Sequence, residues 1–517
     1  MNLTNTILRL CVALVVFAQI FPFEILAQPA FVRDSLDTYI VREMAKWRVP
    51  GLALAIVKDG QIVKLRGYGT KHTGVYGEKA DSVNEHTLFM IGSCSKAFTA
   101  TALTSLEADS VLSLNDKVTK WLPDFRLYET SATQQAIITD LLCHRSGLKT
   151  FQGDFTYWSS NLSRKEVIQK FGLNKPASAF RTRYGYCNAG FLTAGEILPK
   201  AVGKEWEAVM RERFFVPLGM TRTVALSAEF GGTSNHATPH TIYDDKLLHL
   251  PVPIIDNLAP AGSIGSSVHD LVKWVTMQMD TGKVGGVQLF KKQTIMRTWR
   301  GETIVSAFKN RLLPTQFGLY GLGWFLSDYA GKQLIEHDGG VDGFTTTVAF
   351  MPEERLSVIV LTNTDANSLY AALKWRILDA YLKQPVKDYS TVILEDQTKN
   401  NNQERKELLD ARQKVAAKPA PALAWQNYVG KYEHPVYGEI EVQASNGGLR
   451  VLLSHHPNAT GSLEAMGGNE FLCTFANPTF GIHPARFETA FLSSAVQSLT
   501  LKVNDFIEYD SYTFVKK

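Results

Sequence analysis

Two apolar periods run along this chain, and their order lays out its elements. From Ser35 to Lys46, apolar residues at Leu36, Ile40, Val41 and Met44 keep helical spacing. Two apolar-rich runs follow, Gly51 to Val57 and Gln61 to Gly67, and Asp59-Gly60 between them predicts a hairpin turn. A second hairpin is expected far downstream, where Thr345 to Phe350 and Leu356 to Leu361 flank Pro352-Glu353-Glu354-Arg355. A helix over Ser368 to Leu382 ends that region. From Ile91 to Met277 helical spacing dominates, with long loops. Strands at both ends with helices between predict an α+β domain, its antiparallel sheet completed by N- and C-terminal segments.

Beyond Lys383 the pattern changes. Asp396 to Lys418 is polar and charged and ends in Lys418-Pro419-Ala420-Pro421, which reads as a partly helical linker. From Trp425 to Lys517, short alternating segments such as Gly438 to Val442 and Leu449 to Leu453 are broken by Asn446-Gly447-Gly448. That spacing predicts a small all-β barrel or sandwich. The expected domains are 1–27 as a leader, 28–385 as the α+β domain, 386–421 as the linker and 422–517 as the β domain.

The 517 residues exceed what one hydrophobic core serves well, which agrees with two domains. The net charge of +4 comes from Lys and Arg interspersed with Asp and Glu. No basic stripe is present, so nucleic acid is excluded as a partner. Arg9, the apolar run Leu10 to Phe21 and the small Ala27 read as a cleaved signal peptide. The run is short and interrupted by Gln19 and Pro22, so no membrane span is expected after its removal. Export to the periplasm or the cell exterior follows. Cys94, Cys143, Cys187 and Cys473 show neither disulfide framework nor CxxC spacing and read as small buried apolar residues.

Three segments carry candidate chemistry. In Ile91-Gly92-Ser93-Cys94-Ser95-Lys96-Ala97-Phe98-Thr99, the residues Phe98, Ala102 and Leu106 share one helical face, which places Ser93 at a helix N-terminus. Lys96 lies one turn on, on the same side. A Ser hydroxyl needs a base to become a nucleophile, and a Lys serves only when burial lowers its pKa. The second segment is Tyr186-Cys187-Asn188, with Tyr184 as a competing tyrosine. A phenol beside an ammonium loses its proton more easily and becomes a candidate base; an Asn amide can donate to a substrate carbonyl. The third is His337-Asp338-Gly339-Gly340, read as a Gly-rich approach to the strand at Thr345. The N–H groups of Ser93 and Gly340 would form a two-donor oxyanion hole.

These segments, in this order, resemble the SxxK, YxN and K/H-x-G elements of the serine β-lactamase and penicillin-binding superfamily, in its class C-like branch. Leu141 to Leu148 resembles that branch's LLTHTSGL stretch, and Ala261 to Ser267 its AGGLxST stretch. Trp425 to Lys517 resembles the lipocalin-like domain appended to many members. The resemblance implies the β-lactamase/transpeptidase-like fold and Ser93 as acylated nucleophile. Lys96 and Tyr186 would be its base pair, Asn188 would orient Lys96 and the substrate amide, and His337 would be the third-motif cation. Hydrolysis of an amide or ester through acyl-Ser93 follows, on a small-molecule or short-peptide substrate and without metal or other cofactor. A peptide or D-amino-acid amide comes first, a small ester second, a class C-like β-lactam or DD-peptide third. A penicillin-binding sensor that acylates with little turnover keeps the same motifs. The oligomeric state is left open.

Two departures bear on substrate. His337 stands where Lys is common, which would make the third-motif charge pH-dependent. Asp338, taken with Gly339 as substrate-binding, stands where β-lactamases carry Thr or Ser. Facing the cleft, its carboxylate would repel a substrate carboxylate; turned inward, it would pair with an Arg. Elsewhere, His236 and His240 are split by Thr238-Pro239 and make a poor metal pair. His455-His456 reads as loop, and His144 as a structural histidine behind the site. Gly67-Tyr68-Gly69 lacks the third glycine of a dinucleotide site.

Overall fold

The computed structural model describes residues 28–73, 82–445, 447–490 and 495–517. The expected leader and Asn446 of the predicted turn lie outside these.

The first domain is built on an eight-stranded antiparallel sheet. Its strands are β1 (Gly51–Lys58), β2 (Gln61–Gly69), β3 (Thr303–Ser306), β4 (Gly318–Tyr320), β5 (Phe325–Tyr329), β6 (Lys332–Val341), β7 (Phe344–Met351) and β8 (Leu356–Thr362). Their order is β2-β1-β8-β7-β6-β5-β4-β3, so the N-terminal hairpin joins the C-terminal one, with Leu52 opposite Thr362 and Lys58 opposite Leu356. Both hairpin turns lie where the sequence predicts them. Asp59 (φ 52°) and Gly60 (φ 77°) both take the left-handed conformation that a tight hairpin needs.

Both faces of the sheet are covered. Successive strand residues point to opposite faces. Leu52, Leu54 and Ile56 pack under α1 (Leu36–Trp47) and a helix, Leu369–Tyr381, near the end of the domain. Ala53, Ala55 and Val57 face the other core, which holds the helical subdomain. Double burial explains why β1 reads as a continuous apolar run rather than an alternating one. The strands β3 to β6 escape the sequence reading. β3 and β4 have four and three residues, too few for a period. Residues His337 to Gly340 are a correction: they lie inside β6, and the turn before β7 falls at Asp342-Gly343.

Where a linker is expected, Tyr389–Ala416 forms one helix of 28 residues. Of its residues only Tyr389, Ser390 and Ala411 are buried, so it is polar nearly all round, as suits a strut between domains. Beyond it, eight consecutive strands from Gly430–His434 to Tyr512–Lys516 close into a barrel. Buried Tyr432, Ile440, Val451, Phe471, Phe487, Leu499 and Phe514 fill its core, as an eight-stranded interior allows.

The barrel is locked to the first domain by Phe155. This ring lies 5.0 to 5.8 Å from the rings of Tyr437, His456, Phe480 and Tyr512 of the barrel. His456 Nε2 also hydrogen bonds the Trp158 carbonyl at 2.9 Å. The loop histidines His455 and His456 thus belong to the domain interface.

Candidate active site

Ser93 sits in a 3-10 turn, Gly92–Cys94, that runs into the helix α2 (Ser95–Ala108). The turn is seated on the sheet. Gly92 has φ 49°, and a Cβ there would lie 2.8 Å from the Gly340 backbone nitrogen and oxygen. A Cβ on Gly339 would lie 1.9 Å from the Ile91 oxygen. The Cys94 thiol donates to the His337 carbonyl (3.1 Å) and the Thr346 hydroxyl to Ile91 O (3.1 Å). The glycines of β6 therefore let the Ser93 turn approach the strand, and Gly339 packs beneath that turn; the expected substrate contact for Gly339 is corrected accordingly. α2 is also corrected. It is buried from Ser95 through Leu106, so its apolar positions mark no single face; its Ala and Thr residues suit a helix enclosed on all sides.

Lys96 is wholly buried and uses all three ammonium donors: Ser93 Oγ at 2.9 Å, Asn188 Oδ1 at 2.7 Å and the Ala261 carbonyl at 2.8 Å. Burial pulls its pKa down to about 7, against the opposing pull of Asp154. The ammonium also lies 4.6 Å from the centre of the Tyr186 ring. Near neutrality the free amine is therefore accessible, within hydrogen-bond reach of the Ser93 hydroxyl.

The Ser93 side chain favours the ionised form of the Tyr186 phenol, but burial outweighs it and raises the pKa well above that of an ordinary phenol. Tyr186 keeps its proton in the resting site, which corrects the expectation of a phenolate base. Tyr184 packs on His144, Tyr320 and Phe325 instead. Asn188 opens α3 (Asn188–Gly195) with both ends of its amide engaged. Oδ1 accepts from Lys96, and Nδ2 donates to Asp154 Oδ2 at 2.6 Å. His144 Nδ1 accepts from the Cys187 backbone N–H at 3.0 Å, and its ring lies 4.2 Å from that of Tyr186, so it props the Tyr-Cys-Asn turn from behind.

His337 is neutral, which corrects the expected cation. Its Nδ1–H donates to the Asp338 carbonyl (2.6 Å), so Nε2 accepts from the Tyr320 hydroxyl (3.0 Å). Burial, reinforced by the Lys96 charge, drops its pKa to about 3. Asp338 is turned to Lys374 on α4 (Leu369–Tyr381), 3.1 Å away, and Lys374 also holds Glu336 at 2.5 Å. The pairing alternative is the one adopted, with Lys rather than Arg as partner, while the Asp338 side chain stays partly exposed. Cys94 and Cys187 are buried and their thiols pushed up to about 12, which removes them as rival nucleophiles. His236 and His240 hydrogen bond the Thr233 and Asn363 carbonyls separately. Among the described residues no cluster of His, Cys, Asp or Glu is arranged to hold a metal ion.

Asp154, Phe506 and Glu508 have no role in the sequence pattern, and Ala261 appears there only within a family-like stretch. The Ala261 carbonyl is backbone, and no side-chain motif reports it. Asp154 opens a single helical turn, Asp154–Tyr157, and Phe506 and Glu508 lie in irregular segments. Phe506 comes from the barrel, and a Cβ on Gly340 would lie 3.2 Å from its ring. The barrel thus borders the cleft beside the strand backbone next to Ser93.

Comparison with known proteins bears on the family and the fold. The profile of the β-lactamase family matches residues 36–382, and that of a domain of unknown function matches 414–516. The unguisins hydrolase of Aspergillus campestris is 27% identical over 78% of this chain and 76% of its own. A penicillin-binding protein 4 of Amycolatopsis lactamdurans is 26% identical over 61% of this chain and 81% of its own. The octameric penicillin-binding protein homologue from Pyrococcus abyssi superimposes with a TM-score of 0.59 at 21% identity, covering 93% of this chain and 99% of the other. That last likeness concerns the fold.

Proposed function

The chain belongs to the β-lactamase family, and on that premise we propose that it hydrolyses an amide or ester bond through an acyl-Ser93 intermediate. The observation that carries this reading is the buried Lys96 amine 2.9 Å from Ser93 Oγ, its pKa drawn to about 7. Neutral Lys96 takes the Ser93 proton as Oγ attacks the carbonyl carbon. The oxyanion that develops lies between the N–H groups of Ser93 and Gly340; one such donor is worth about 100- to 1,000-fold in rate. The bond to the leaving group then breaks. Tyr186, still protonated, gives its proton to the departing amine and recovers one from the Lys96 ammonium. In the second half, Lys96 takes a proton from the attacking water, and Ser93 Oγ leaves with that proton restored.

A peptide or D-amino-acid amide is the first substrate class and a small ester the second. The name of the Aspergillus relative, a hydrolase of unguisins, supports hydrolysis as the reaction. A β-lactam is third, because the buried His337 brings no positive charge to hold a substrate carboxylate. Export rests on Arg9, Leu10 to Phe21 and Ala27. Among the described residues no helix is long and apolar enough to cross a membrane. The test is turnover of D-aminoacyl p-nitroanilides, p-nitrophenyl esters and nitrocefin on one preparation, beside Ser93→Ala. Amide and ester turnover lost in Ser93→Ala supports the reading; turnover retained in that variant refutes it.

A further inference from the structure

We propose that Glu508, supplied by the C-terminal barrel, is a positioning residue for the catalytic lysine. It acts through one turn of the first domain. The Glu508 carboxylate accepts from the Gly153 backbone N–H at 3.0 Å through Oε1 and from the Phe155 N–H at 2.9 Å through Oε2. The residue between these two donors is Asp154. Its carboxyl accepts from Asn188 Nδ2, and Asn188 Oδ1 in turn holds Lys96. The chain of contacts runs Glu508, Gly153–Phe155, Asp154, Asn188, Lys96, Ser93.

Several features fix this clamp. Gly153 has φ 97°, and a Cβ there would meet the Tyr157 hydroxyl at 2.7 Å, so only glycine serves. The Phe155 ring fills the aromatic mouth of the barrel, which sets the turn at the depth where Glu508 reaches it. Tyr512 O–H donates to Glu508 Oε2 at 3.0 Å and orients the carboxylate. Glu508 is 1% exposed, so a carboxyl is held there with three protein donors and no solvent role. Burial without Glu508 would leave two N–H groups of this turn unsatisfied, and the turn would shift to find partners. A shift of this kind moves Asn188 and, through it, the amine that must meet the Ser93 proton.

This inference rests on Lys96 acting as the base. The experiment compares wild type, Glu508→Gln, Glu508→Ala and Tyr512→Phe, each full length, on a p-nitrophenyl ester, with circular dichroism of each. Glu508→Ala should lose kcat by about 100-fold with KM nearly unchanged, the size expected when a remote change misplaces a catalytic group. Glu508→Gln keeps one acceptor and should retain more activity than the alanine variant, and Tyr512→Phe should lose a smaller factor in the same direction. A kcat for Glu508→Ala within about twofold of wild type, or a KM that rises in step with the loss, overturns the inference. If Glu508→Ala fails to fold, the glutamine and phenylalanine variants decide: reduced kcat at constant KM supports it, and unchanged kcat overturns it. Wild type that turns over nothing and takes no fluorophosphonate on Ser93 refutes the proposed function itself, a result distinct from these.

Discussion

The Nζ of Lys96 lies 2.7 Å from Oδ1 of Asn188. That contact aims a buried amine at Ser93 and leaves the asparagine amide end on Asp154, so the base is held from two sides. Burial is the dominant influence on Lys96, and it acts against the charged form.

The sign of the pH dependence follows. Only neutral Lys96 can take the Ser93 proton. kcat/KM should therefore rise with pH through about 7 and level off above it. His337, with its pKa near 3, adds no limb around neutrality. A pH profile of ester hydrolysis checks this; activity that falls as pH rises from 6 to 8 opposes it.

Tyr186→Phe removes the phenol hydroxyl that interacts with Ser93 and keeps the ring beside Lys96. An amine leaving group needs a proton, whereas p-nitrophenolate does not. Amide turnover should fall by about 100- to 10,000-fold and ester turnover by clearly less. Parallel measurement of a p-nitroanilide and a p-nitrophenyl ester decides; equal losses would contradict the proton-return role.

Asp338→Thr should leave the ratio of nitrocefin to ester turnover unchanged, because the Asp338 carboxylate is engaged by Lys374. Asp338 is 43% exposed and Lys374 keeps Glu336, so the stability cost should be at most about 1 kcal/mol. Steady-state kinetics and urea denaturation measure both. A marked gain in nitrocefin turnover would place Asp338 in the substrate path.

Phe155→Ala should cost about 3–5 kcal/mol, the range for deleting a fully buried aromatic ring. The barrel should loosen from the first domain, with activity lost alongside. Urea denaturation followed by tryptophan fluorescence tests this, and a midpoint equal to wild type would show that Phe155 does not lock the domains.

What the sequence makes legible depends on range. The hairpin at Asp59-Gly60 and the helix from Ser368 are local patterns, and both form. Ser93, Lys96, Tyr186 and Asn188 are separate in sequence, yet the structure brings them to one point. What stays hidden is environment. His337 looks like a titrating cation until Tyr320 and the Asp338 carbonyl enclose it. Asp338 leaves two readings open, cleft-facing or ion-paired, until α4 brings Lys374 to it. Glu508 sits in an irregular segment of another domain, with no periodicity or motif to single it out. These are tertiary facts: burial sets the charge of a group, and burial is not local.

The most direct test of a Lys96-activated Ser93 is peptide mass mapping after fluorophosphonate treatment of wild type and Lys96→Ala. Wild type should carry a single adduct on the peptide containing Ser93, and Lys96→Ala should acquire it slower by about 1,000-fold or more. An adduct on any other residue, or equal labelling of the two proteins, would contradict the account.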